Sequence, residues 1–181
     1  LPGTERSKEE VRRVATHWQS ILGHATLPDT SGNVFWEPYS VKATNDQWRH
    51  GVWIFNDTAT RLLLYGQFVV PQNYVGSAKV YPVWTSTATT GNVVWDFDYR
   101  TVGGDDTTSL DQAGTEEALT VTDAAPTAAH RRLTPSMTPT AGNFSAGETV
   151  EFLLARDGAN ASDTMAAAVI LFDLLFEYAD A

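Results

Sequence analysis

The 181-residue sequence contains no cysteine. Disulfides, thiolate metal sites and cysteine nucleophiles are removed together, so the folded state must rest on packing, hydrogen bonding or assembly with other chains. Positive charge is scarce too, with 12 Lys and Arg against 22 Asp and Glu and a formal net charge of -10. An acidic surface without a basic stripe repels phosphate, which argues against nucleic acid and against an anionic membrane as partners. The longest apolar run, Met165 to Leu175, is interrupted by Asp173 and is too short to span a bilayer. No basic segment followed by an apolar one opens the chain, so no signal peptide is visible. Catalytic signatures are missing as well. His17, His24, His50 and His130 lack H-x-x-x-H spacing, and there is neither a G-x-S-x-G elbow nor a phosphate-cradling glycine loop ahead of a helix. The expectation is a non-enzymatic protein that needs no cofactor and no metal.

What is present is apolar and aromatic. A content of 43% hydrophobic and 11% aromatic residues is enough for one core in one domain. Ser7-Lys8-Glu9-Glu10 has the form of a capping box, and Val11, Val14, Trp18, Ile21 and Leu22 follow at steps of three and four before Gly23, a residue suited to a helix C-terminus. This pattern predicts an amphipathic helix over 8–22 and an N-terminal helix and linker arm over 1–32. The same five apolar residues form a candidate interface, either against the chain's own sandwich or with another chain in a short coiled coil.

From residue 33 to 181 the texture is that of strands separated by Gly, Asn, Thr and Ser clusters. Strands are predicted near 33–40, 50–56, 61–70, 76–86, 91–101, 116–122, 130–138, 148–156 and 165–178. The fold class they imply is mostly β, an antiparallel two-sheet sandwich of jelly-roll-like form. Trp95, Phe97 and Tyr99 alternate with Asp96, Asp98 and Arg100, which assigns the aromatics to the core. Val150, Phe152 and Leu154 align in the same way. The last run is apolar on both faces, as a central strand would be; Met165 and the three alanines after it favour a helix over 163–178 as the competing reading.

Three groups of residues carry candidate chemistry. Asp96 and Asp98, joined by Glu177 or Asp173, would suit a glycosidase or a calcium ion, although Arg100 on the same face also makes them a plain solvated strand surface. Asp105 and Asp106 lie in the Gly-rich loop 102–115, where calcium or a ligand would meet them. Trp36, Trp48 and Trp53, with Phe35 and Tyr39 nearby, are a candidate platform for stacking sugar rings; large aromatics in strands are otherwise core. N-x-S/T tripeptides at Asn56, Asn143 and Asn160 are too short a motif to carry weight.

The stretch from Ala78 to Asp180 resembles virion-associated β-sandwich structural proteins of tailed bacteriophages. The likeness rests on Ala78-Lys79-Val80-Tyr81-Pro82-Val83-Trp84-Thr85-Ser86, on Gly91 to Arg100, and on Arg156-Asp157-Gly158 with Asp163-Thr164 ahead of a final strand ending Phe176-Glu177-Tyr178. Residues 1–77 carry no such likeness. The resemblance implies a capsid decoration or cement protein on the virion surface. Such a protein would form a homotrimer, bind the major capsid protein or other virion proteins, and grip the shell through its N-terminal segment. The alternative it implies is a receptor- or carbohydrate-binding head domain of a tail or neck fibre, with Trp36, Trp48, Trp53 and the 102–115 loop in contact.

Overall fold

Alternating strands can bury one face each only by stacking two sheets, and the chain does so. The computed structural model describes residues 14–23, 27–40, 49–103, 109, 111 and 114–180. Among them the strands are β1 (Thr16–Ser20), β2 (Leu27–Pro28), β3 (Val34–Ser40), β4 (Arg49–Phe55), β5 (Arg61–Val69), β6 (Tyr74–Thr85), β7 (Asn92–Val102), β8 (Glu117–Ala124), β9 (Thr149–Asp157) and β10 (Val169–Asp180). The only helical turn among the described residues is a three-residue 3-10 turn at Ala141–Asn143.

One sheet has the order β2-β5-β9-β7-β8 and all its pairings are antiparallel. The other is centred on β10. Strand β6 runs along one side of β10, whereas the opposite side is shared: β4 pairs with 169–171 and β1 with 175–179. Strand β3 completes this sheet beyond β4. Between the sheets lie Phe55, Trp84, Trp95, Phe97, Phe152 and Phe176, with Trp95 meeting Phe55 and Trp84 edge to face at 5.3 and 6.3 Å. Trp95, Phe97, Tyr99, Val150, Phe152 and Leu154 all occupy the core as their alternation requires. The final run is the strand at the centre of its sheet, not a helix, because Val169, Ile170, Phe172, Phe176 and Tyr178 suit a pleated surface covered on both faces.

The N-terminal helix is corrected. Residues 8–13, with Val11, lie outside the described residues, and residues 16–20 form β1 against β10, from Thr16↔Ala179 to Ser20↔Leu175. The four described residues of the stripe therefore do not form one face: Val14 and Trp18 are 67% and 53% exposed, Ile21 is fully buried, and Leu22 packs at the rim of the core. Magnitudes explain the outcome. A capping interaction contributes about 1 kcal/mol, whereas burying one isoleucine contributes about 1.5–3 kcal/mol and each ladder bond adds about 1 kcal/mol. The Ile21 N–H donates to the Leu174 carbonyl at 2.8 Å, which extends the ladder past the strand's end.

The strand predicted at 130–138 is also corrected. It reduces to isolated bridges, Leu133 with Trp84 and Met137 with Val80, because Pro135 between them has no N–H to continue a ladder.

The inward face of β9 continues past Leu154 to Arg156, whose side chain is fully buried. Its Nε and Nη2 donate to the two carboxylate oxygens of Asp163 at 3.1 and 2.9 Å. Nη1 donates to the carbonyls of Asn56 and Ala167 at 3.2 and 2.7 Å, and Nη2 to the Met165 carbonyl at 2.7 Å and Asp57 Oδ1 at 3.3 Å. One guanidinium thus fastens the β4–β5 connection to the β9–β10 connection. The two segments approach so closely that a Cβ on Gly158 would lie 2.0 Å from the Thr58 carbonyl oxygen, which only glycine avoids.

Two outcomes follow. Replacing Arg156 by Met leaves the Asp163 carboxylate, 3% exposed, without its counter-charge, and is expected to cost about 3–5 kcal/mol in urea unfolding. The second concerns acid. Burial pulls the Glu117 carboxyl up, but bonds from Tyr99 Oη and from the Thr140 N–H and Oγ1 more than offset this, so its pKa lies below the usual 4.5. A folded-state value below the unfolded one gives stability that is full above about pH 4.5 and is lost as pH falls through the folded value. Glu117→Gln should therefore lower Tm at neutral pH and flatten the acid limb of Tm against pH.

Candidate functional site

Because β4 and β1 share one side of β10, that side has a seam. Strand β4 is paired up to Leu171 and β1 begins at Leu175, leaving Phe172 and Asp173 without a strand partner there. The β10–β6 register also slips between Leu171 and Asp173, making Phe172 the extra residue of a bulge, a device that re-aims side chains. The seam opens as a cleft of about 340 Å³, lined among the described residues by Ser20, Trp36, Gly51, Trp53, Phe172 and Asp173 together with Leu22 and Gly23.

Trp36 and Trp53 are register partners across β3 and β4. Trp53 packs against the core, but Trp36 is 58% exposed. Its indole lies over Gly51, where a Cβ would sit 3.1 Å from Cζ2 and Nε1, so the ring rests on bare backbone and turns a face to solvent. Asp173 Oδ1 accepts from Ser20 Oγ at 2.6 Å and from the Leu174 N–H at 2.8 Å. No described group bonds its other oxygen, which is left as an acceptor.

A second hollow of about 500 Å³ adjoins the first and shares Gly51, Phe172 and Asp173 with it, adding Arg49, His50 and Arg132. The Phe172 ring organises this side. His50 and Tyr39 meet it edge to face at 5.3 and 6.2 Å, and the Arg132 guanidinium lies 4.9 Å over it. The Tyr39 hydroxyl is hydrogen-bonded to His130 Nδ1. Burial and the nearby Glu37 raise the Tyr39 pKa, so this phenol stays protonated. Aromatic faces, one carboxylate and cationic donors around an open groove suit ligand binding. Asp173 is the one carboxylate among the described residues that line the two hollows.

The other candidates fall elsewhere. Asp96 and Asp98 lie on the outer face of the opposite sheet, away from Asp173 and Glu177 on β10. Arg61 forks between them, with Nε 2.9 Å from Asp96 and Nη2 2.7 Å from Asp98, and Thr120 Oγ1 donates to Asp96 at 2.7 Å. Arg100, expected beside that pair, instead bonds Glu151 at 2.7 Å. Glu177 is held by Lys79 and Tyr81 at 3.1 and 2.9 Å. The proposed carboxylate cluster is thus dispersed. Trp48, Asp105 and Asp106 lie outside the described residues, and Phe35 sits beside Trp36 on β3, partly exposed. The sequence reading missed the floor of the cleft, Phe172, and the cations Arg49 and Arg132. Asp173 breaking an apolar run is the one signal in the sequence, and it does not say that its neighbours are Ser20 and Trp36 rather than Asp96.

No protein-family model matches the chain, and no curated protein matches it. Solved structures do. A family 35 carbohydrate-binding module from Clostridium thermocellum aligns over 90% of this chain and 97% of its own, at 11% identity and a TM-score of 0.51. An isomalto-dextranase from Arthrobacter globiformis T6, complexed with panose, aligns over 87% of this chain and 24% of its own, at 12% identity and a TM-score of 0.50. Nothing in these comparisons supports the virion origin that the resemblance implied. At such identities the likeness is one of architecture: the chain is a two-sheet antiparallel sandwich of the jelly-roll type seen in carbohydrate-binding modules.

Proposed function

We propose that this chain is a non-catalytic carbohydrate-binding module that holds a glycan in the cleft between β4 and β1. The observation that carries the reading is the Trp36 indole, exposed over Gly51 and beside Trp53, with an Asp173 oxygen that no described group bonds in the same cleft. The C–H face of a pyranose is apolar and covers such a ring, while its equatorial hydroxyls reach the carboxylate. Covering roughly 100 Å² of indole contributes about 2.5 kcal/mol, and a hydrogen bond to a charged acceptor adds about 1.5–3 kcal/mol. The fold neighbours include a carbohydrate-binding module and a panose-bound enzyme, which agrees with this reading, although a shared fold does not by itself carry function. The capsid-decoration role came with the resemblance of residues 78–180, and no comparison supports a virion origin.

Affinity electrophoresis against a panel of soluble polysaccharides tests this. At least one polysaccharide should retard the protein, and Trp36→Ala should weaken that retention about tenfold or more while unfolding stability stays within about 0.5 kcal/mol, as for other exposed sites. Tyr65→Ala, which removes an exposed aromatic on the opposite sheet, should retain full binding. Retention untouched by Trp36→Ala, or absent across the panel, would overturn the assignment.

A further inference from the structure

We infer that the hollow beside the tryptophan cleft is a subsite for an anionic sugar, one bearing a carboxylate or a sulfate. This rests on the reading that the cleft holds a glycan, and it names the class of glycan.

The argument begins with charge. In a chain of net charge -10, cations are expected to be taken up by the surplus of acids. Arg61, Lys79, Arg100 and Arg156 are each within 3.3 Å of a carboxylate oxygen. Three arginines form no ion pair among the described residues: Arg131, which donates to Thr127 Oγ1 at 3.1 Å, and Arg49 and Arg132, which line the same hollow. Its described lining holds a single carboxylate, Asp173, so the two arginines leave it net positive on an acidic molecule. Such a local field attracts an anion that the rest of the surface repels.

Geometry adds to this. The Arg132 guanidinium carbon lies 4.9 Å over the Phe172 ring, and no described acceptor bonds its N–H donors. That planar fork matches a carboxylate or a sulfate. His50, edge-on to the same ring, adds a further donor beside it. Since the two hollows share Gly51, Phe172 and Asp173, one sugar residue stacked on Trp36 places its neighbour in the chain against the arginines. Cation–π packing alone accounts for Arg132 but leaves Arg49, at the start of β4, without a role.

The test uses the full chain and matched tetrasaccharides of gluco, manno and galacto configuration, each in neutral, uronate and 6-sulfated form, by titration calorimetry. In at least one series the acidic members should bind about tenfold more tightly than the neutral one, as charge-assisted hydrogen bonds require. That preference should shrink as NaCl is raised from about 50 to about 500 mM, and the uronate and sulfate arms report which anion fits. Arg49→Gln with Arg132→Gln, both exposed positions, should abolish the preference, so that the acidic and neutral members of a series bind the double variant alike. Neutral binding that depends on Trp36 but shows no acidic preference, or a preference surviving the double substitution, overturns this inference alone. Absence of binding throughout, or binding indifferent to Trp36→Ala, overturns the glycan reading beneath it.

Discussion

The buried guanidinium of Arg156 is the contact on which the arrangement of this sandwich most depends. Six hydrogen bonds from one side chain reach Asp163, Asp57 and the carbonyls of Asn56, Met165 and Ala167. Those partners belong to the segments leaving β4 and entering β10. Burying an ion pair costs several kcal/mol per charge, so the net gain over an apolar substitute is small. What the pairing supplies is position, since a guanidinium fork accepts few geometries. Asp163 Oδ2 also accepts the Val94 N–H, and the Thr164 and Met165 N–H groups donate to the Asn92 carbonyl, so the start of β7 is fastened to the same point.

With that end fixed, β10 enters its sheet beside β4 and must leave it beside β1. Two short strands then serve one side of a twelve-residue strand, and they do not meet. The seam is a consequence of strand lengths and of where each is anchored. Bulging at Phe172 lets the ladder to β6 continue while the side chain turns toward the gap. A continuous sheet at this place would cover Phe172 and Asp173 with backbone and leave Trp36 beside a closed surface.

Charge is distributed unevenly between the two outer faces. On the sheet built around β9, Arg61 with Asp96 and Asp98, and Arg100 with Glu151, neutralise one another. Around the seam on the other sheet, Arg49 and Arg132 have no carboxylate partner among the described residues. The sheet around β10 also carries internal pairs, Lys79 with Glu177 and His17 with Asp180, so the contrast lies at the seam alone.

Much of the architecture was legible in the residues. Period-two alternation in 94–100 and 148–154 predicted strands and their buried faces, because the side-chain direction of a strand is a local property. Double-sided apolarity predicted that the last strand would be central. Trp36 and Trp53 could be named from composition, but not the fact that one would be exposed and the other packed. The first strand was misread because the three- and four-residue spacing of Val14, Trp18 and Ile21 is local evidence for a helix, whereas its pairing with β10 lies some 160 positions away in sequence. The site suffers from the same limit in a stronger form. Phe172, Asp173, Trp36, Gly51 and Arg132 come from separate segments, and no spacing rule joins them. The sequence by itself determined which residues alternate, which faces are apolar and that the chain is acidic. The tertiary structure decided which strands share β10, where the seam opens and which arginines are left without a carboxylate, because each of these depends on pairings between distant segments that local periodicity does not encode.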